Sequence, residues 1–288
     1  MTRADPTPAP RPRRSLLFAP ANRPEVHAKA LAAPADVVCL DLEDAVPPGA
    51  KAEARAMALP FLAAAGDQGP ERVLRINSLR SAEGLRDMLA AIEARPPAGV
   101  IFLPKVAHAA EVRLADELLS EAGLPLGLAV LVESVEGLEN VTPILQASPR
   151  IVFAMFGGVD LAAELGVAVA HEPLLFARSR VVHAARLAGV DVLDVPALAF
   201  RDLAAVEAET ATARALGFTG KAAIHPSNLA TVNAVFTPSA EEVARAEAVI
   251  AAWTASPTGL VVLDGKLIEK PVIRSMQRVL ALRDGLAG

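Results

Sequence analysis

Residues 128–160 read LAVLVESVEGLENVTPILQASPRIVFAMFGGVD. Two apolar runs, Leu128–Val132 and Arg150–Phe156, each lead into a carboxylate: Glu133 directly, Asp160 after two glycines and a valine. Near-continuous apolar runs of this length fit strands buried on both faces, as in a parallel sheet. Working outward, six further runs read the same way: Ser15–Ala19, Asp36–Leu42, Arg72–Ile76, Gly99–Leu103, Val190–Val195 and Gly220–Ile224. Between them lie Ala/Leu/Glu/Arg-rich segments that read as helices, among them Ser81–Ala94, Ala109–Glu121, Glu172–Ala188 and Asp202–Leu216. Gly123, Gly189 and Gly217 stand where such helices would close. Strand–helix alternation repeated eight times predicts an α/β fold, a (β/α)8 TIM barrel. A doubly wound open sheet is the competitor, but no GxGxxG or GxxxxGK[ST] follows any strand.

A chain of 288 residues suits one barrel of about 250 residues. The 53% hydrophobic share supplies its core. A net charge of −5 and a 3% aromatic content without tyrosine argue against nucleic-acid binding. No apolar run approaches the roughly 18 residues of a membrane span. The single cysteine, Cys39, excludes an internal disulfide and a cysteine-based zinc site, and points to the reducing cytoplasm. Arg13-Arg14 ahead of SLLF faintly resembles a twin-arginine export signal, but the apolar stretch ends too soon for one. The expected organisation is a disordered tail at 1–13, the barrel at 14–236, and C-terminal helices with a lid extension at 237–288. In the extension, a helix at Glu241–Thr254 with Ser239 as its cap precedes a hairpin turning at Asp264-Gly265, and a helix at Lys270–Arg283 ends the chain.

In a barrel the C-terminal ends of the strands face one mouth, where catalytic groups gather. Reading strand ends in order gives Asp41, Glu43 and Asp44, then Arg75, Lys105, Glu133, Asp160, Asp194 and His225. Any one of these could simply be where a strand turns polar. Together, carboxylates with interspersed cations suit a hard divalent metal and an anionic substrate. Glu133 and Asp160 are the best candidates for metal ligands, because adjacent strands would bring them together. No histidine pair has zinc-like spacing. Arg75 could hold a substrate carboxylate bidentately, or be a structural arginine paired with a neighbouring aspartate.

The ordered set RSLLFAP (14–20), LDLEDAV (40–46), RIN (75–77), LPKV (103–106), VESVEG (132–137), FGGVDL (156–161) and IHP (224–226) resembles the citrate lyase β-subunit/malyl-CoA lyase family of the HpcH/HpaI aldolase superfamily. The resemblance implies a TIM barrel, magnesium, and reversible C–C cleavage of a 3-hydroxyacyl-CoA thioester (citramalyl-CoA, malyl-CoA or citryl type) into an acyl-CoA such as acetyl-CoA and a 2-keto acid. It makes Glu133 and Asp160 the magnesium ligands, Glu133 also bordering the substrate, and Arg75 the anchor for the keto-acid carboxylate. Glu43 and Asp44 would hydrogen-bond the metal's waters. Arg14 and Lys29 would lie towards the thioester's phosphates or pantetheine. Asp264 matches a lid aspartate, contributed by a neighbouring subunit and acting as the acid that protonates the enolate; a plain Asp-Gly turn is the alternative. A homo-oligomer, trimer or hexamer, follows from the lid. Val159 departs from the polar or acidic residue that many relatives carry there. Lys105 and His225 receive no role. The alternatives are a citrate lyase β-subunit working on an acyl-carrier-protein thioester, a thioester-free HpcH/HpaI-type aldolase, or a catalytically silent scaffold.

Overall fold

Eight parallel strands close on one another in chain order in the computed structural model, which describes residues 11–66, 68–256, 261–263 and 266–287. In sequence the elements are β1 (Ser15–Pro20), α1 (Pro24–Leu31), β2 (Val37–Asp41), α2 (Lys51–Ala63), β3 (Glu71–Arg75), α3 (Ala82–Glu93), β4 (Val100–Leu103) and α4 (Ala109–Glu121). They continue with β5 (Gly127–Val132), α5 (Val135–Glu139), α6 (Val141–Leu145), β6 (Ile151–Phe156), α7 (Gly158–Leu165), α8 (His171–Ala188), β7 (Asp191–Asp194), α9 (Leu203–Leu216) and β8 (Gly220–Ala223). Then follow α10 (Leu229–Phe236), α11 (Ala240–Ala255), β9 (Val261–Leu263), β10 (Lys266–Ile268) and α12 (Lys270–Ala287). The (β/α)8 barrel is therefore the fold that the alternation predicts. The expected tail lies, as far as residue 10, outside the described residues.

Local chemistry marks the ends of the elements. Ser81, Ser134 and Asp202 each accept a backbone N–H in the first turn of the helix that follows. Gly189 and Gly217 close α8 and α9 at φ +74° and +102°, a left-handed cap that a Cβ would strain.

The interior of the barrel is filled by alternate residues of each strand, among them Val37 and Cys39, Val73, Ala129 and Leu131, Phe153 and Met155, Leu193 and Ala222. Side chains alternate faces with period two, so each series continues into the mouth: Cys39 to Asp41, Val73 to Arg75, Leu131 to Glu133, Met155 to Gly157. A register shift between β5 and β6, where Val152 is passed over, aligns Leu131 with Met155 and Val132 with Phe156. That one-residue bulge sets Gly157 beside Glu133.

Internal contacts divide the chain into two units, Arg13–Asn233 and the segment from Ala234 onward. In the second, Val249, Ile268 and Ile273 form a small core with Trp253, Val261, Val272 and Met276 packed against it. Ser239 and Glu242 make a reciprocal capping box at the start of α11. β9 and β10 pair antiparallel. Among the described residues, no helix is long and apolar enough to cross a membrane.

Candidate active site

A cavity of about 480 Å³ opens at the C-terminal mouth of the barrel. Phe18, Leu131, Met155, Val195 and Ile224 give it apolar walls, and Asp41, Asp44, Arg75, Glu133 and Asp160 are its polar groups.

Arg75 ends β3 directly across from Asp41 at the end of β2. The pair is bidentate, with Nε 2.8 Å from Oδ1 and Nη2 2.6 Å from Oδ2. Nη1 faces Glu43 Oε2 at 3.1 Å, and the guanidinium lies 5.0 Å from the centre of the Phe18 ring. Burial works against its charge, but the Asp41 hydrogen bonds and the two carboxylates win and hold its pKa above the ordinary arginine value. Arg75 is thus the structural partner of an aspartate, and it also stands on the cavity wall. Asp41 also accepts from the backbone N–H groups of Glu43 and Ala45, so one carboxylate shapes the β2–α2 turn that presents Glu43 and Asp44.

Glu133 is buried at the end of β5 and accepts the backbone N–H of Lys105 at 2.7 Å. Burial raises its pKa to about 9, helped by the Asp160 carboxyl within hydrogen-bonding reach and by the negative charge of Glu43. Asp160 sits in the first turn of α7, where the helix N-terminus favours an anion. Glu43 is likewise buried, and burial raises its pKa, opposed by Arg75 and Lys105. The Lys105 ammonium meets Glu43 at 2.6 Å and Asp44 at 3.4 Å. Glu43 Oε2 is buried without a hydrogen bond, its approach to Arg75 lacking the needed geometry.

This donor set fits a hard divalent cation. Five carboxyls (Asp41, Glu43, Asp44, Glu133, Asp160) face two cations (Arg75, Lys105), an excess of three negative charges when all are ionised. Among the described residues, no three of His, Cys, Asp or Glu are grouped to hold one ion. Two carboxylates with open positions for water and substrate oxygens suit magnesium, which keeps several of its waters.

Other sequence candidates lie elsewhere. Arg14 precedes β1 and so stands at the opposite rim, roughly 20 Å of strand from Pro20. Its guanidinium and backbone N–H are committed to Asp36 at 2.8 Å. The cation leaving β1 at the cavity rim is Arg23, exposed and paired with Glu25. Lys29 is exposed in the last turn of α1. Asp194 does not join the ring of strand-end groups: its parity turns it away from the barrel interior, where it meets Lys221 at 2.8 Å and Arg178 at 2.9 Å. His225 accepts from Ser227 N–H and stacks on Phe200. Asp264 lies outside the described residues.

Two contributions escape a reading by residue type. The Lys105 backbone N–H on Glu133 has no signature in side-chain chemistry. The Asp41–Arg75 pair had one, since both residues end neighbouring strands with the same parity.

Residues 14–226 match the model of the HpcH/HpaI aldolase/citrate lyase family. The chain is 33% identical over 305 residues to the L-malyl-CoA/beta-methylmalyl-CoA lyase of Cereibacter sphaeroides, covering 96% of each. It is 34% identical over 281 residues to the (3S)-malyl-CoA thioesterase of the same species, again covering 96% of each. Among solved structures, protein CitE from Mycobacterium tuberculosis in complex with magnesium, acetoacetate and coenzyme A aligns with a TM-score of 0.78 at 33% identity, covering 96% of this chain and 99% of that one.

Proposed function

The chain belongs to the HpcH/HpaI aldolase/citrate lyase family, and from that premise we propose that it is a magnesium-dependent carbon–carbon lyase of the cytoplasm. Its substrate is a 3-hydroxyacyl-CoA thioester bearing a carboxylate, and its products are an acyl-CoA and a 2-keto acid. The observation that carries this reading is the Glu133–Asp160 pair: two carboxyls lining one cavity, the buried one pushed up to about 9 by burial first and by its neighbour second. Ionising both carboxyls is costly without a cation beside them. The lyase and the thioesterase it resembles are both named for malyl-CoA, and CitE was crystallised with magnesium, acetoacetate and coenzyme A.

Glu133 and Asp160 would hold the magnesium ion, with Glu43 and Asp44 accepting from its waters. When bound, the ion supplies a Lewis acid that lowers the pKa of the substrate hydroxyl. Arg75 receives the carboxylate next to the scissile bond with the donors that Asp41 leaves free. The apolar walls keep water from the enolate. Cleavage takes one proton from the hydroxyl and puts one on the enolate carbon. The mouth carboxylates receive the first, and Asp264 delivers the second. In this reading Asp264 comes from a neighbouring subunit of a homo-oligomer, trimer or hexamer.

The test is a product assay on malyl-CoA, citramalyl-CoA and citryl-CoA, each with magnesium and with EDTA. The expected result is magnesium-dependent release of a keto acid from one of them without release of free thiol. Free thiol without keto acid would make the protein a thioesterase. Keto acid released only from a carrier-bound citryl thioester would make it a citrate lyase β-subunit. Cleavage of keto-acid aldols without any thioester would make it an aldolase of the thioester-free kind.

A further inference from the structure

Lys105 follows β4 with φ at +54°, in the left-handed region that few side-chain-bearing residues occupy. Such a conformation persists only where the surroundings over-determine it. Here each polar group of Lys105 is engaged. Its N–H donates to Glu133 Oε1 at 2.7 Å, its ammonium pairs with Glu43, and its carbonyl accepts from Arg80 Nη2 at 2.8 Å. The chain beyond it is pinned as well. Glu111 Oε1 accepts from the N–H groups of Ala107 and His108, and Asn140 Nδ2 donates to the Ala107 carbonyl. Arg80 Nε also lies 3.7 Å from Glu111 Oε2, so one guanidinium ties both the carbonyl of Lys105 and the carboxylate that holds the rest of the loop.

We propose that Arg80 is a positioning residue for the metal site, acting through the Lys105 peptide to aim a backbone N–H at Glu133. The inference rests on the assignment of Glu133 as a metal ligand. Arg80 does not line the cavity and its side chain is half exposed, so it touches neither substrate nor ion. Its effect passes through two hydrogen bonds and one positive-φ residue. With the carbonyl fixed on one side of the Lys105 Cα and the loop fixed beyond it, the N–H on the other side keeps a single direction. That donor fixes one Glu133 oxygen in place and leaves the other to the ion. Lys105 thereby serves the two buried carboxylates with different groups, its peptide for Glu133 and its ammonium for Glu43. Glycine would take the positive φ without strain, but it would remove the ammonium that pairs with Glu43.

The test is calorimetric titration of magnesium into the substrate-free protein, for wild type, Arg80→Ala, Arg80→Lys and Glu133→Gln, alongside thermal unfolding in EDTA. Partners that orient a metal ligand are commonly worth about 10–100-fold in metal affinity. Arg80→Ala should therefore weaken magnesium binding by about 10-fold or more while its metal-free melting temperature stays close to wild type. Arg80→Lys, which can still donate to the Lys105 carbonyl, should recover most of the affinity. Wild-type affinity in Arg80→Ala, with binding lost in Glu133→Gln, would overturn the positioning role and leave the metal site standing. Wild-type affinity in Glu133→Gln would overturn the metal assignment itself, and the role of Arg80 with it. An affinity loss in Arg80→Ala matched by a collapse in melting temperature, with no recovery in Arg80→Lys, would make Arg80 a structural residue only.

Discussion

Gly157 leaves the space that Glu133 occupies: a Cβ built on Gly157 would stand 2.3 Å from the Glu133 Cβ and 3.2 Å from its Oε2. The first distance is far inside van der Waals contact, and the atom it meets is rooted in the backbone of β5. The glycine is needed for close approach rather than for an unusual φ.

Gly157→Ala should therefore displace Glu133. Overpacking of this kind commonly costs about 1–3 kcal/mol. The magnesium affinity should fall by more than that stability loss alone would suggest, because the clash falls on a proposed ligand. Urea unfolding and metal titration on the same preparation check both numbers. A variant that binds magnesium like wild type would show that Glu133 can move without leaving the site.

The raised pKa of Glu133 makes a signed prediction for the metal-free protein. Its carboxyl titrates near 9 in the fold against an ordinary value of 4.5. The folded state therefore holds this proton more tightly than the unfolded chain does. The stabilisation it gives is complete below pH 4.5 and drains away as pH rises towards 9. The slope from one such group cannot exceed about 1.4 kcal/mol per pH unit. In EDTA, the unfolding free energy of Glu133→Gln should fall less between pH 6 and pH 9 than that of wild type. Magnesium should reverse the wild-type trend, since the ion favours the ionised form. Parallel pH profiles for the two proteins would remove Glu133 as the titrating group.

How much of this was legible in the sequence depends on which physical property carried the information. Strand positions were legible because two-sided burial writes itself as uninterrupted apolar runs, and Leu128–Val132 lies within β5 (Gly127–Val132). The gathering of Asp41, Arg75 and Glu133 at one cavity follows from strand ends and period-two alternation. The same parity applied to Asp194 would have turned it away from the mouth, since its neighbour Leu193 fills the interior. Arg14 was misplaced for a similar reason, because a residue before a strand leaves the barrel at the opposite rim from one after it. The Val152 bulge and the positive φ of Lys105 carry no residue signature, since neither a bulged valine nor a left-handed lysine is the residue expected there.

Lys221 supplies a stability prediction separate from the site. It is almost fully buried on β8, with Nζ 2.8 Å from Asp194 Oδ2 and 2.6 Å from the Val195 carbonyl. Arg178 shares the same aspartate oxygen, and Asp194 Oδ1 is buried without a hydrogen bond. Removing one partner from a buried ion network commonly costs about 3–5 kcal/mol. Lys221→Met should lose about that much in urea unfolding and keep its magnesium affinity, because the network lies outside the barrel's interior. A loss below about 1 kcal/mol would mean that Arg178 alone compensates the charge.

Asp264 is the proposed proton donor, and its proposed origin in a neighbouring subunit can be tested separately from its chemistry. Asp264→Asn keeps the size of the side chain and removes its proton chemistry. Turnover should fall by a factor of about 10²–10⁴, with magnesium affinity unchanged because Asp264 is not among the ligands. If the lid crosses between subunits, a complete site needs Glu133 from one protomer and Asp264 from the next. Mixing Asp264→Asn with Glu133→Gln protomers would then restore about a quarter of wild-type activity at equal ratio, from random pairing around a closed ring. Within a single subunit the mixture could restore nothing, since every protomer would carry one defect. Activity in the mixture therefore reports the crossing, and near-wild-type turnover in Asp264→Asn alone would remove the residue from the chemistry.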